Sequence, residues 1–138
     1  MSRAVKFLIA GLVALTFAFG SAQDAEPTVS FTLVGGIGGS GFEFMGVGGD
    51  IDGIRNPDLN VKVGDVVEII LINGDGMTHD WVVQDTDLAS DKVSVKDESV
   101  RFVFTATEAG TFIYLCTEPG HALPEFNVGM FGNLIVSE

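Results

Sequence analysis

Turn signals recur at short, even intervals along this chain, and that spacing leaves room for no long helix. From Val29 onward, short apolar runs are separated by glycine-bearing turns about every eight to twelve residues. Val29, Phe31 and Leu33 alternate with Ser30, Thr32 and Val34, the period of a half-buried strand. Phe42 to Val47 and Leu59 to Val63 read as further strands, and the β-branched run Val66 to Ile72 reads as a central one. Phe102 and Phe104 share a face of Val100 to Thr105, Val93 and Val95 alternate with Ser94 and Lys96, and Trp81 in His79 to Val83 is a core candidate. Thr111 to Cys116 and Asn133 to Ser137 complete the set. Residues 35–41 are too glycine-rich for a regular element and are expected to loop, and residues 85–91 could hold one helical turn. The glycine run is no phosphate loop, because no Lys-Ser/Thr follows it. The pattern predicts an all-β fold, an antiparallel Greek-key β-sandwich or barrel of about seven to eight strands. It occupies one domain over residues 29–138, behind a flexible lead-in at residues 23–28.

Upstream of that domain, Arg3 and Lys6 precede an apolar run from Phe7 to Phe19 and a small-residue stretch, Gly20-Ser21-Ala22. This is the layout of a secretory signal peptide over residues 1–22, and the run falls short of the roughly 20 residues that span a bilayer. The expected product is a periplasmic or secreted protein without stable membrane insertion after cleavage, and a monomer. The signal carries two of the seven basic residues and none of the nineteen acidic ones, so the mature chain is more acidic than the formal charge of −12. Such a chain does not bind nucleic acid by electrostatics, and it is steered toward basic partners.

One cysteine in an exported chain excludes an intramolecular disulfide and makes the thiol either a liability or a site. Cys116 ends a predicted strand, His121 and Met130 follow in the loop before the last strand, and His79 begins another strand. Taken singly, Cys116 reads as a small buried hydrophobe and Met130 as core. Taken together, the sole cysteine, both histidines and a methionine form a soft donor set of the kind copper prefers. Two imidazoles and a thiolate with a weak thioether make a trigonal electron-transfer site. A binuclear copper centre would need a second cysteine, structural zinc would need four firm Cys/His ligands, and further copper centres would need histidines that the chain does not have.

Cys116-x4-His121, preceded by Tyr114 and followed by Gly129-Met130-x-Gly-Asn-Leu-Ile-Val, resembles the copper loop of the cupredoxins. Met77-Thr78-His79-Asp80-Trp81 is similar to the first-histidine segment of the azurin, pseudoazurin and plastocyanin group. Residues 46–53, Asn56-Pro57 and residues 73–80 resemble the blue-copper domain tethered to some copper nitrite reductases. The resemblance covers residues 29–138. It implies one copper ion in a type 1 site, with His79, Cys116 and His121 as equatorial ligands and Met130 as the axial one. The carbonyl of Thr78 would be a distant fifth contact. It further implies a one-electron carrier rather than an enzyme, with a c-type cytochrome, a copper nitrite reductase or a terminal oxidase as redox partner. A copper delivery or storage protein is the alternative.

Two departures from the family stand out. The loop from Ala122 to Gly129 is longer than usual, so Leu123 to Asn127 must bulge outward if Met130 is to reach the metal. Asp80 replaces the family's usual asparagine, and it is expected to accept from Thr117 while its charge favours Cu(II). Ala122, Leu123, Pro124, Phe126 and Phe131 are candidates for an apolar docking patch around a partly exposed His121.

Overall fold

The computed structural model describes residues 22–138, and the signal-peptide reading of residues 1–22 falls almost wholly outside them. Alternation is strongest in β4 (Val66–Asn73), where Val67, Ile69, Leu71 and Asn73 are buried and the residues between them are half-buried. β4 is flanked by β1 (Val29–Gly38) and β6 (Ser99–Thr105), and β2 (Gly41–Val47) closes the other edge beyond β1. The second sheet runs in the order β3 (Leu59–Lys62), β10 (Phe131–Ser137), β7 (Gly110–Leu115), β5 (Val82–Val83). A separate two-stranded ribbon pairs β8 (Ala122–Leu123) with β9 (Val128–Gly129). The β-sandwich is therefore as expected, but its sheets are mixed rather than antiparallel. β1 runs parallel to β4, and β3 runs parallel to β10.

The glycine segment corrects the sequence reading. Residues 35–38 are not a loop but the second half of β1, paired with β2 on one side and in part with β4 on the other. Glycine is tolerated there because neighbouring side chains fill the space that a Cβ would take. A Cβ on Gly38 would fall 1.7 Å from Glu43 Oε1, and one on Gly35 would lie 3.0 Å from the Met130 methyl. Residues 85–91 form turns with no helix, and Val93 makes a single bridge to His79 instead of starting a strand. The lead-in is tied to the sheet instead of standing free: Gln23 donates to Val103 O and accepts from Val103 N–H at the β6 edge.

Between the sheets lie Leu33, Phe44, Ile69, Leu71, Trp81 and Tyr114, all at most 1% exposed. Trp81 stacks on Phe104 and Tyr114 with ring centroids 5.7 and 5.6 Å apart. Tyr114 lies opposite Gly132 in the β7–β10 ladder, and its hydroxyl donates to Pro57 O at 2.6 Å. This packing fixes the ends of β7 and β10, and those ends carry the site.

Candidate metal centre

Cys116 is the first residue after β7, held where the ladder opens by its N–H bond to Met130 O at 3.1 Å. His121 follows a turn closed by its N–H to Glu118 O, and its own carbonyl accepts from Met130 N–H at 2.7 Å. His79 comes from a different part of the chain. Its N–H and C=O both pair with Val93, at 3.0 and 2.9 Å, on the far side of the loop that leaves β4. That loop is stapled by Asn73, which is wholly buried. Its amide donates to Met77 O at 2.6 Å and Val93 O at 3.0 Å, and its carbonyl accepts from the N–H groups of Asp75 and Gly76. All four polar contacts of a buried amide are thereby met.

These elements bring three of the four expected donors together. Ligand atoms of His79, Cys116 and His121 lie within 4.8 Å of one another, and all three residues are buried. Cys116 Sγ is 4.0 Å from His79 Nδ1 and 3.6 Å from His121 Nδ1. A trigonal first-row ion with bonds of about 2.3 Å to sulfur and about 2.0 Å to nitrogen would need about 3.7 Å between them. The observed separations bracket that value, so the donor set fits a single ion. Met130 is wholly buried at the same end. Gly35 faces both its methyl and His79 Cγ, the latter 3.5 Å from where a Cβ on Gly35 would stand.

The surroundings hold the donors in place. Asp80 Oδ1 accepts the Thr117 N–H at 2.6 Å and Oδ2 accepts the Thr117 hydroxyl, so one carboxylate ties the His79 and Cys116 segments together. The sequence reading expected one such bond, and the structure shows both. His79 Nε2 lies 2.8 Å from Asp75 Oδ1. Phe42 stacks on the His121 ring at 3.8 Å between centroids, with 19° between planes. Under that cover His121 is 6% exposed, less than the partly exposed edge that was expected. The enlarged loop does bulge outward, as the β8–β9 ribbon with a 3-10 turn at Pro124–Phe126. Asn56 pins it to β2 by donating to Gly129 O while accepting from Phe44 N–H.

Burial pushes the Cys116 thiol up to about 11 from its ordinary 9.0; backbone N–H groups of Asp80 and Glu118 oppose the rise, and the Asp80 charge adds to it. A metal must therefore displace a proton from this sulfur near neutrality. Burial also lowers His121, helped by the neighbouring His79, which keeps its imidazole neutral and available as a donor. Asp75 is lowered even though burial opposes it, because His79 and the Met77 N–H hydrogen-bond to its carboxylate.

No protein-family model and no curated protein matches the chain. Solved structures do. Auracyanin B aligns with a TM-score of 0.58 and 20% identity, covering 83% of this chain and 93% of that one. Rusticyanin from Thiobacillus ferrooxidans gives 0.58 and 23%, covering 81% and 79%. The chain has a cupredoxin fold. Auracyanin A, described as a "blue" copper protein from the photosynthetic bacterium Chloroflexus aurantiacus, aligns with a TM-score of 0.53 and 23% identity over 78% of this chain and 99% of that one. Within that fold, sequence reading missed Asp75, Phe42 and Gly35. The one available signal was the position of Asp75, four residues ahead of a histidine in Asn-Gly-Asp-Gly.

Proposed function

We propose that this chain is a mononuclear copper protein of the type 1 kind that carries single electrons outside the cytoplasm. The observation that carries the reading is the buried His79–Cys116–His121 triangle, whose two sulfur–nitrogen edges, from Cys116 Sγ to each Nδ1, are near those a trigonal ion requires. His79, Cys116 and His121 are the equatorial donors, and Met130 is the axial one, directed by its place in the core beside Gly35. Bound copper would supply a one-electron couple between Cu(I) and Cu(II). The chain's own contribution is to hold the donors still. The Asp80–Thr117 tie, the Asn73 staple and the β7–β10 ladder set the triangle before any ion arrives, which keeps reorganisation small. Phe42 and the core exclude water from the donors.

The ribbon supports the docking half of the reading. Leu123, Phe126 and Val128 are 39%, 70% and 51% exposed beside His121. An apolar patch next to the site suits a short-lived complex, and the acidic remainder of the chain speeds encounter with a basic partner such as a c-type cytochrome. A copper nitrite reductase or terminal oxidase is a candidate acceptor. Copper delivery or storage is the weaker reading, because exchange requires accessible ligands and these are enclosed.

Loading with Cu(II) is the test. The purified protein should gain an intense visible thiolate-to-copper band, and Cys116→Ser should abolish it. A colourless copper-loaded protein would overturn the carrier reading in favour of delivery.

A further inference from the structure

Three nitrogens converge on the carboxylate of Asp75. Oδ1 accepts Met77 N–H at 2.8 Å and lies 2.8 Å from His79 Nε2, while Oδ2 accepts Ile37 N–H at 3.1 Å. Met77 belongs to the same loop, but Ile37 belongs to β1, the strand that passes the site at Gly35. The carboxylate is thus fixed from two separate elements before it meets the histidine. The Asn73 staple holds the backbone of the same residue by accepting Asp75 N–H at 3.2 Å.

A neutral imidazole has one proton for two nitrogens. If Nδ1 carried it, the lone pair of Nε2 would face a carboxylate oxygen at 2.8 Å, acceptor against acceptor. The proton therefore sits on Nε2, and Nδ1 presents its lone pair toward Cys116 Sγ. We infer that Asp75 is a positioning residue of the centre: it sets the tautomer and ring direction of His79, and its charge biases the site toward the divalent ion. Such outer carboxylates raise the basicity of a ligating histidine. Asp80 is the other nearby carboxylate, but both of its oxygens are taken up by Thr117, so its part is to tie the two loops. The charge half of the inference rests on the copper-carrier reading; the tautomer half does not.

The test uses the full chain and two variants. In metal-free protein at mildly alkaline pH, nitrogen-15 NMR of the histidine rings should show His79 as the Nε2–H tautomer. Asp75→Ala should lose that tautomer and bind Cu(II) about 10- to 100-fold more weakly. Asp75→Asn keeps an oxygen acceptor without the charge. It should retain the tautomer while the Cu(I)-to-Cu(II) affinity ratio rises at least tenfold, a rise of roughly 59 mV or more in potential. If Asp75→Ala fails to fold, the Asn variant still decides the charge half. Variants that melt earlier but keep the parent tautomer and potential would overturn the inference and make Asp75 a loop staple. A parent protein that binds no copper would sink the carrier reading while leaving the tautomer measurement intact.

Discussion

A Cβ on Gly35 would meet the Met130 methyl at 3.0 Å, Leu71 Cδ1 at 3.3 Å and His79 Cγ at 3.5 Å. The Met130 and His79 side chains therefore approach this strand as closely as they do only because it carries a hydrogen there. Gly35→Ala should cost about 1–3 kcal/mol through overpacking, read by denaturant unfolding, and should alter the visible spectrum of the copper-loaded protein as Met130 shifts. An unchanged spectrum would mean that Met130 does not touch the ion. Nothing local marks this glycine, because the crowding comes from residues far along the chain. His79, Cys116 and His121 were legible for the opposite reason: a lone cysteine and only two histidines leave few ways to assign them. Asp75 was hidden by a sufficient local explanation as a turn former, and Phe42 by one as an ordinary strand residue. Their roles arise only when β1, β2 and the ligand loops meet.

The length of the segment from Ala122 to Gly129 signalled a departure, but its form was not legible. Two-residue strands carry no periodicity, and the left-handed Asn127 that ends the 3-10 turn is a local choice no pattern announces. The glycine half of β1 was misread in the same way, since its pairing is licensed by Glu43, Met130 and Leu71 rather than by its own residues. Parallel pairing of β1 with β4 and of β3 with β10 likewise depends on crossovers, not on alternation within a strand. The ribbon is tested by Phe126→Asp. Phe126 is 70% exposed, so the change should leave stability within about 0.5 kcal/mol and the copper spectrum unaltered. Electron exchange with the partner should slow. Unchanged rates would remove the ribbon from the docking surface.

Across the whole molecule, acidity should make association salt-dependent. The second-order rate of electron exchange with a basic cytochrome should fall as ionic strength rises, followed by stopped-flow absorbance. Folding stability carries its own pH signature. Ser30 and Arg101 hydrogen-bond the Glu68 carboxylate across β1, β4 and β6 and hold its pKa below the usual carboxylate value. A depressed folded value adds stability above the unfolded pKa and loses it as pH falls through the folded one. Thermal melting of the parent should therefore exceed that of Glu68→Gln at neutral pH, modestly because Arg101 is exposed to solvent, and the gap should close on acidification. The stretch between His121 and Met130 has a further consequence. Its base is closed by the Met130 N–H to His121 O bond, so what lies beyond that clasp is mechanically separate from the donors. Lengthening such an excursion is cheap, about 0.6 kcal/mol for each doubling of a flexible loop. The chain can thus exchange one outward-facing cassette for another while the donor geometry behind the clasp stays as it was.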